Sequence, residues 1–220
     1  MLTRKHTAWR KNRKFGDVMG GRRYPKVNDR VWGRVHSLAP PAPHDSVPIV
    51  IRENPSRLFF FPVTPEEVLA SIGRLPRDHV AALTHVWLRR IDLAEYSSSS
   101  RPLAEFMCGS GVRAIVLYPW PRTLAQSLGN ARPSDRILAH YRRWTSDLRC
   151  VRGVWQLRWR LEALRDFYLA YLLVHEVGHN VDWFRSHWSK ANVRNREEAA
   201  VGYALRWLSS GRTEASSHGA

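Results

Sequence analysis

Tyr171-Leu-Leu-Val-His-Glu-Val-Gly-His-Asn-Val-Asp182 decides how the rest of the chain is read. It sets His175-Glu176-x-x-His179 inside an apolar run of helical character. On an α-helix, residues four apart lie on one face, about 40° apart in projection. Two imidazoles at that spacing can hold one metal ion together. Glu176 projects about 100° from His175, beside such an ion rather than on it, where it can take a proton from water held there. With ten His and ten Glu in 220 residues, the motif is expected by chance about 0.02 times per chain. The competing reading is a helix with two structural histidines and a solvated glutamate.

Working outward, the helix is expected to span Leu161 to about Phe184, buried through Leu164, Phe167, Leu169, Tyr171, Leu172 and Val174. Ser189 to Arg194 is polar and reads as a turn. Asn195-Arg-Glu-Glu198 opens a final helix that ends near Ser209-Ser210-Gly211. Two imidazoles rarely suffice, because a catalytic zinc has three protein ligands and one open position. The third ligand should come from this last helix, from Glu197 or Glu198. Glu198 has a rival explanation, a capping box with Asn195 as N-cap. Both glutamates would also suit a first turn for its dipole alone.

His175-Glu-x-x-His179 followed by Glu197-x-x-Ala200-x-x-Tyr203-Ala204 resembles the gluzincin metallopeptidases over about residues 160–207. The resemblance implies a zinc ion held by His175, His179 and Glu197, with Glu176 as general base on zinc-bound water and peptide-bond hydrolysis as the reaction. It implies a Tyr or His that stabilises an oxyanion, for which Tyr203, His187 and Tyr171 are the candidates. His-Glu-x-Gly-His-x-x-Asp further implies that Asp182 orients a ligand histidine from outside the coordination shell. Gly178 would leave room for a neighbouring segment. Val201 departs from the pattern, since many relatives carry Asp or Asn there. The implied fold is α+β and zincin-like: a small mixed sheet packed on the motif helix and on a second, glutamate-bearing helix. In such a fold the edge strand over the cleft binds an extended substrate as an added strand, and Arg113 to Trp120 is the candidate.

Upstream, Pro48–Arg52 and Leu58–Pro62 read as short strands, and Thr64-Pro-Glu-Glu67 as a capped helix start running to about Leu75. Thr84–Ile91 and Arg113–Trp120 read as paired strands separated by a polar loop marked by Ser97–Ser100 and Gly109-x-Gly111. Pro133-Ser-Asp135 opens a helix through about Arg143. Val154–Arg158 is a strand or the start of the following helix.

The formal charge is +16. Residues 1–35 hold eleven Lys or Arg against Asp17 and Asp29, a net +9. The expected organisation is a basic, Pro/Gly-containing tail over 1–45, a metallopeptidase domain over 46–210, and a C-terminal tail over 211–220. Trp9, Tyr24 and Trp32 give the basic tail stacking groups, so nucleic acid or another acidic surface is a candidate partner beside a peptide or protein substrate. The alternative to a peptidase is therefore a nucleic-acid-associated basic protein with a structural or vestigial zinc site. Cys108 and Cys150 are too few for a disulfide scaffold. The N-terminus lacks the apolar stretch of a secretion signal, and no run is long enough to span a bilayer, so the expected location is cytoplasmic.

Overall fold

The computed structural model describes residues 15–19, 38–97, 102–109, 111–183 and 192–217. Its centre is a five-stranded sheet. In chain order the strands and helices that build it are β1 (Phe15–Met19), β2 (Ile49–Glu53), the short β3 (Phe59–Phe60), α1 (Pro65–Gly73), α2 (Arg77–Val80), β4 (His85–Leu88), α3 (Leu93–Ser97), β5 (Ala104–Gly109) and β6 (Val112–Leu117). The spatial order is β1-β2-β4-β6-β5. The three inner strands run parallel, and both edge strands are antiparallel to their neighbours. The inner strands are apolar at successive positions because both faces are covered. Val50, Val86, Ile115 and Leu117 face the core shared with the helices, while Ile49, Trp87, Ala114 and Val116 face a second core with Leu38 and Tyr118.

After β7 (Trp120–Pro121), which pairs with β3, come β8 (Ala125–Gly129), α4 (Asp135–Tyr141), β9 (Asp147–Val151) and β10 (Val154–Arg158). These strands form a separate three-stranded antiparallel sheet, ordered β8-β10-β9. The chain then enters α5 (Leu161–Asp166), passes through a π-helical stretch (Phe167–Leu172) and continues as α6 (Leu173–Trp183). The last helix, α7 (Val193–Ser217), packs on α6. The molecule is thus α+β, with a mixed sheet on one side of a helical layer. No helix among the described residues is long and apolar enough to cross a membrane.

Local chemistry explains several boundaries. Thr64 and Glu67 form the expected reciprocal capping box at the start of α1. The single helix expected over 161–184 is interrupted by the π stretch, which carries buried Phe167, Tyr168 and Tyr171. Tyr168 donates its hydroxyl to Tyr118 O at 2.7 Å, tying this stretch to the end of β6. Asn180 Nδ2 donates to His79 O at 2.9 Å and so fixes α2 against α6.

Two expectations change, and the alternative left open for Val154–Arg158 closes. Arg113 to Trp120 is not the sheet edge: β6 lies one strand in, and the edge is β5, in the segment read as polar loop. Val154–Arg158 is a strand. Parts of the expected tails belong to the fold, since Phe15–Met19 pairs with β2, Leu38 is buried and α7 continues to Ser217.

Gly178 marks where α6 and α7 come closest. A Cβ there would stand 3.0 Å from Ala200 Cα and 3.2 Å from Tyr203 Cβ. Gly178→Ala must push the helices apart and is expected to lower stability by about 1–3 kcal/mol in chemical denaturation, with no change if the contact is unimportant. His85 is fully buried in β4, and burial pushes its pKa down to about 4, against a weak opposing pull from Asp45. Its contribution is complete above the unfolded value near 6.5 and is lost as pH falls from there through about 4. The cost should approach about 3 kcal/mol. His85→Asn should flatten denaturation midpoints across that window.

Candidate metal centre

The sequence spacing sets the site's first half. His175 and His179 sit one turn apart on α6, with ring centroids 4.8 Å apart. Glu197, in the first turns of α7, reaches both. Its Oε2 lies 3.4 Å from His175 Nε2 and its Oε1 lies 3.3 Å from His179 Nε2. One ligand atom from each residue lies within 4.8 Å of the other two. These separations are long for direct N–H···O hydrogen bonds, which cluster at about 2.9–3.0 Å. Each is close to the edge of about 3.3–3.4 Å between ligands of an ion with bonds of about 2.0–2.1 Å, reached by a different oxygen of Glu197 in each case. The three side chains together could hold a metal ion. The Glu197 side chain is 55% exposed, so the cluster opens to solvent on that side.

Glu198 takes no part. It accepts from Arg194 Nε at 2.8 Å, one turn back on the exposed face. The helix begins at Val193 rather than Asn195, so the expected capping box with Asn195 gives way to this pair. The choice left open by the sequence falls to Glu197.

Glu176 is 5% exposed. Its carboxylate accepts a hydrogen bond from the Phe106 backbone on β5, which favours the charged form. Burial outweighs that bond and raises its pKa well above the ordinary carboxylate range, with further upward pushes from Glu197 and Glu105. Glu197 moves the other way. Its contacts with the His175 and His179 imidazoles, long as they are, hold it well below the usual range. Two carboxyls in one site are thus driven apart, one towards holding a proton and one towards permanent charge.

The three ligands and Glu176 open onto a cleft of about 1080 Å³ whose walls include Glu105, Phe106, Leu128, His140, Tyr171 and Arg196. Burial pushes the Tyr171 pKa up to about 12. Its ring lies 6.0 Å from that of His175 and 5.2 Å from that of His140. Burial lowers the His140 pKa, with His175 adding to the effect.

Tyr203 requires a correction. It lies six residues beyond Glu197, about 240° round the helix, so it cannot share the cleft face. Its hydroxyl is 2.9 Å from His79 Nδ1, and its ring packs edge-on to that imidazole. It is a packing residue of the α2–α6–α7 junction. His187 lies outside the described residues. Asp182 is half-buried on α6, one turn beyond His179. Sequence reasoning missed Glu105 and Phe106, which reach the site only because β5 is the sheet edge. It also missed His140, which no local pattern distinguishes from an ordinary helix residue.

The geometry separates two adjacent glutamates. Glu197→Gln should weaken zinc binding by more than about a hundredfold in calorimetric titration, whereas Glu198→Gln should leave it unchanged. Equal losses in both variants would remove Glu197 from the ligand set.

Comparison with protein-family models, with curated proteins and with solved structures finds no match to this chain.

Proposed function

We propose that the protein is a zinc-dependent metallopeptidase with a zincin-like domain. The observation that carries this reading is the convergence of His175, His179 and Glu197, each offering a ligand atom within 4.8 Å of the other two, with a buried carboxyl, Glu176, next to them. His-His-carboxylate sets with an open corner suit catalytic zinc. The fold supports the same reading: an antiparallel edge strand borders the motif helix, and a following helix supplies the third ligand.

Zinc in that position supplies Lewis-acid polarisation of a scissile carbonyl and brings the pKa of a coordinated water towards about 7. Glu176 receives the proton of the attacking water and delivers it to the leaving amine. Its burial suits the second role, because a raised pKa lets it hold a proton between the two transfers. Phe106 N–H anchors the carboxylate against β5.

The same bond fixes the phase of the strand. With Phe106 N–H turned outward from β6, alternation also turns the backbone groups of Ala104 and Cys108 outward. An extended peptide can pair there as an added strand, with its carbonyl carried past the ligand residues. His140 and Tyr171 replace Tyr203 as candidates to donate to a developing oxyanion, because both line the cleft beside His175. Asp182 remains the candidate to orient a ligand imidazole.

Glu176→Gln tests the reading. It is expected to retain zinc while hydrolysis of a mixed peptide library falls by about 10²–10⁴-fold. Retained zinc with unchanged hydrolysis would overturn the mechanism. Zinc bound by the native protein without hydrolysis of any peptide would favour a structural site.

A further inference from the structure

The net charge of this chain is confined to two segments. Residues 1–35 carry +9, and residues 122–165 carry ten Arg, no Lys and three acids (Asp135, Asp147, Glu162), a net +7. The remaining residues hold fourteen basic and fourteen acidic side chains and balance to zero. The second basic segment is folded. It comprises β8, α4, β9 and β10 and reaches into α5. All ten of its arginines are exposed. Asp147 holds Arg149 and Glu67 holds Arg165, and the other eight form no ion pair among the described residues.

The small sheet gives these charges a surface. Leu148 and Leu157 point inward, and Leu157 is buried in the main core. The opposite face is built of cross-strand rows: Val151 and Val154 at the hairpin end, then Arg149, Gln156 and Ser127, then Asp147, Arg158 and Ala125. Arg152 sits at the turn beside Gly153, in the left-handed region with φ 50°. At the same end, Arg132 lies over the Trp155 ring at 5.7 Å. The outward rows beyond the valine pair carry hydrogen-bonding and cationic groups over small β8 residues, and no large aromatic anchor.

We infer that this sheet and its flanking arginines form a docking face for the phosphate backbone of nucleic acid. Protein–protein interfaces concentrate binding in apolar or aromatic anchors and deplete charge at their centres. Nucleic-acid interfaces are polar, wet and strongly positive. Guanidinium groups match phosphate in paired hydrogen bonds, which suits an array built wholly of Arg. Ala125 and Ser127 let a bulky backbone lie close. β8 also borders the cleft through Ser127 and Leu128, so a bound nucleic acid would lie alongside the metal centre. This inference does not depend on peptide hydrolysis.

The test is fluorescence anisotropy of the full chain with a labelled 20-base-pair DNA duplex, a single-stranded RNA 20-mer and a labelled polyglutamate, across 50–200 mM salt. Arg132→Gln, Arg142→Gln, Arg152→Gln and Arg158→Gln combined should weaken binding of at least one nucleic acid about tenfold or more. The slope of log affinity against log salt should shrink by about 0.7–0.9 per lost phosphate contact. Arg57→Gln, Arg74→Gln, Arg77→Gln and Arg206→Gln combined remove the same charge elsewhere and should have little effect. If the first set fails to fold, the pairs Arg132/Arg152 and Arg142/Arg158 report separately. DNA or RNA affinity lost only from the first set supports the face. Equal losses from both sets, no loss from either, or polyglutamate bound as tightly as nucleic acid would overturn it.

Discussion

The closeness of α6 and α7 is the constraint on which the rest depends. At Gly178 the separation is so small that one methyl group would collide with Ala200 and Tyr203. Only helices this close let a glutamate side chain from one reach two imidazoles on the other. Gly178 and Ala200 therefore do more than fill space: they set the distance at which Glu197 converges with His175 and His179. The opposite face of α6 presses on the sheet and brings Glu176 against the β5 backbone. One helix held between a close neighbour and a sheet edge thus carries both histidines of the proposed metal centre and the proposed base.

Electrostatics within the site follow from that packing. Glu176 and Glu197 both face the cleft, yet burial and imidazole contacts drive their proton affinities in opposite directions. The charged member stands in the open, next to two nitrogens, where the proposed cation would bind. The buried member is screened from water and pinned by Phe106. Outside the site the charge reverses: arginines cluster on the small sheet next to the cleft, while the ligand region balances acid against base.

The fold was legible where the pattern was local. The Thr64 cap, the inner strands and the long motif helix follow from short-range chemistry, as does the shared face of His175 and His179. The third ligand could be narrowed to one of two neighbours, but only the folded helix separates them, with Glu197 beside both imidazoles and Glu198 paired with Arg194. The β5 edge was hidden because Ser97–Ser100 and the glycines near 109–111 surround it with loop-like residues, and because strand order is a property of the whole sheet. Tyr203 was misplaced for a geometric reason, since the motif spacing carries no account of where a side chain lies round α7. His140 enters the cleft from α4, far away in sequence, and no spacing could announce it.

Zinc-edge X-ray absorption on the metal-loaded protein reaches the central claim most directly. The expected spectrum is a four-coordinate shell of two imidazole nitrogens and two oxygens at about 2.0–2.1 Å, reduced by one imidazole in His179→Ala. A shell with sulfur neighbours, or one unaltered by that substitution, would contradict a centre built from His175, His179 and Glu197.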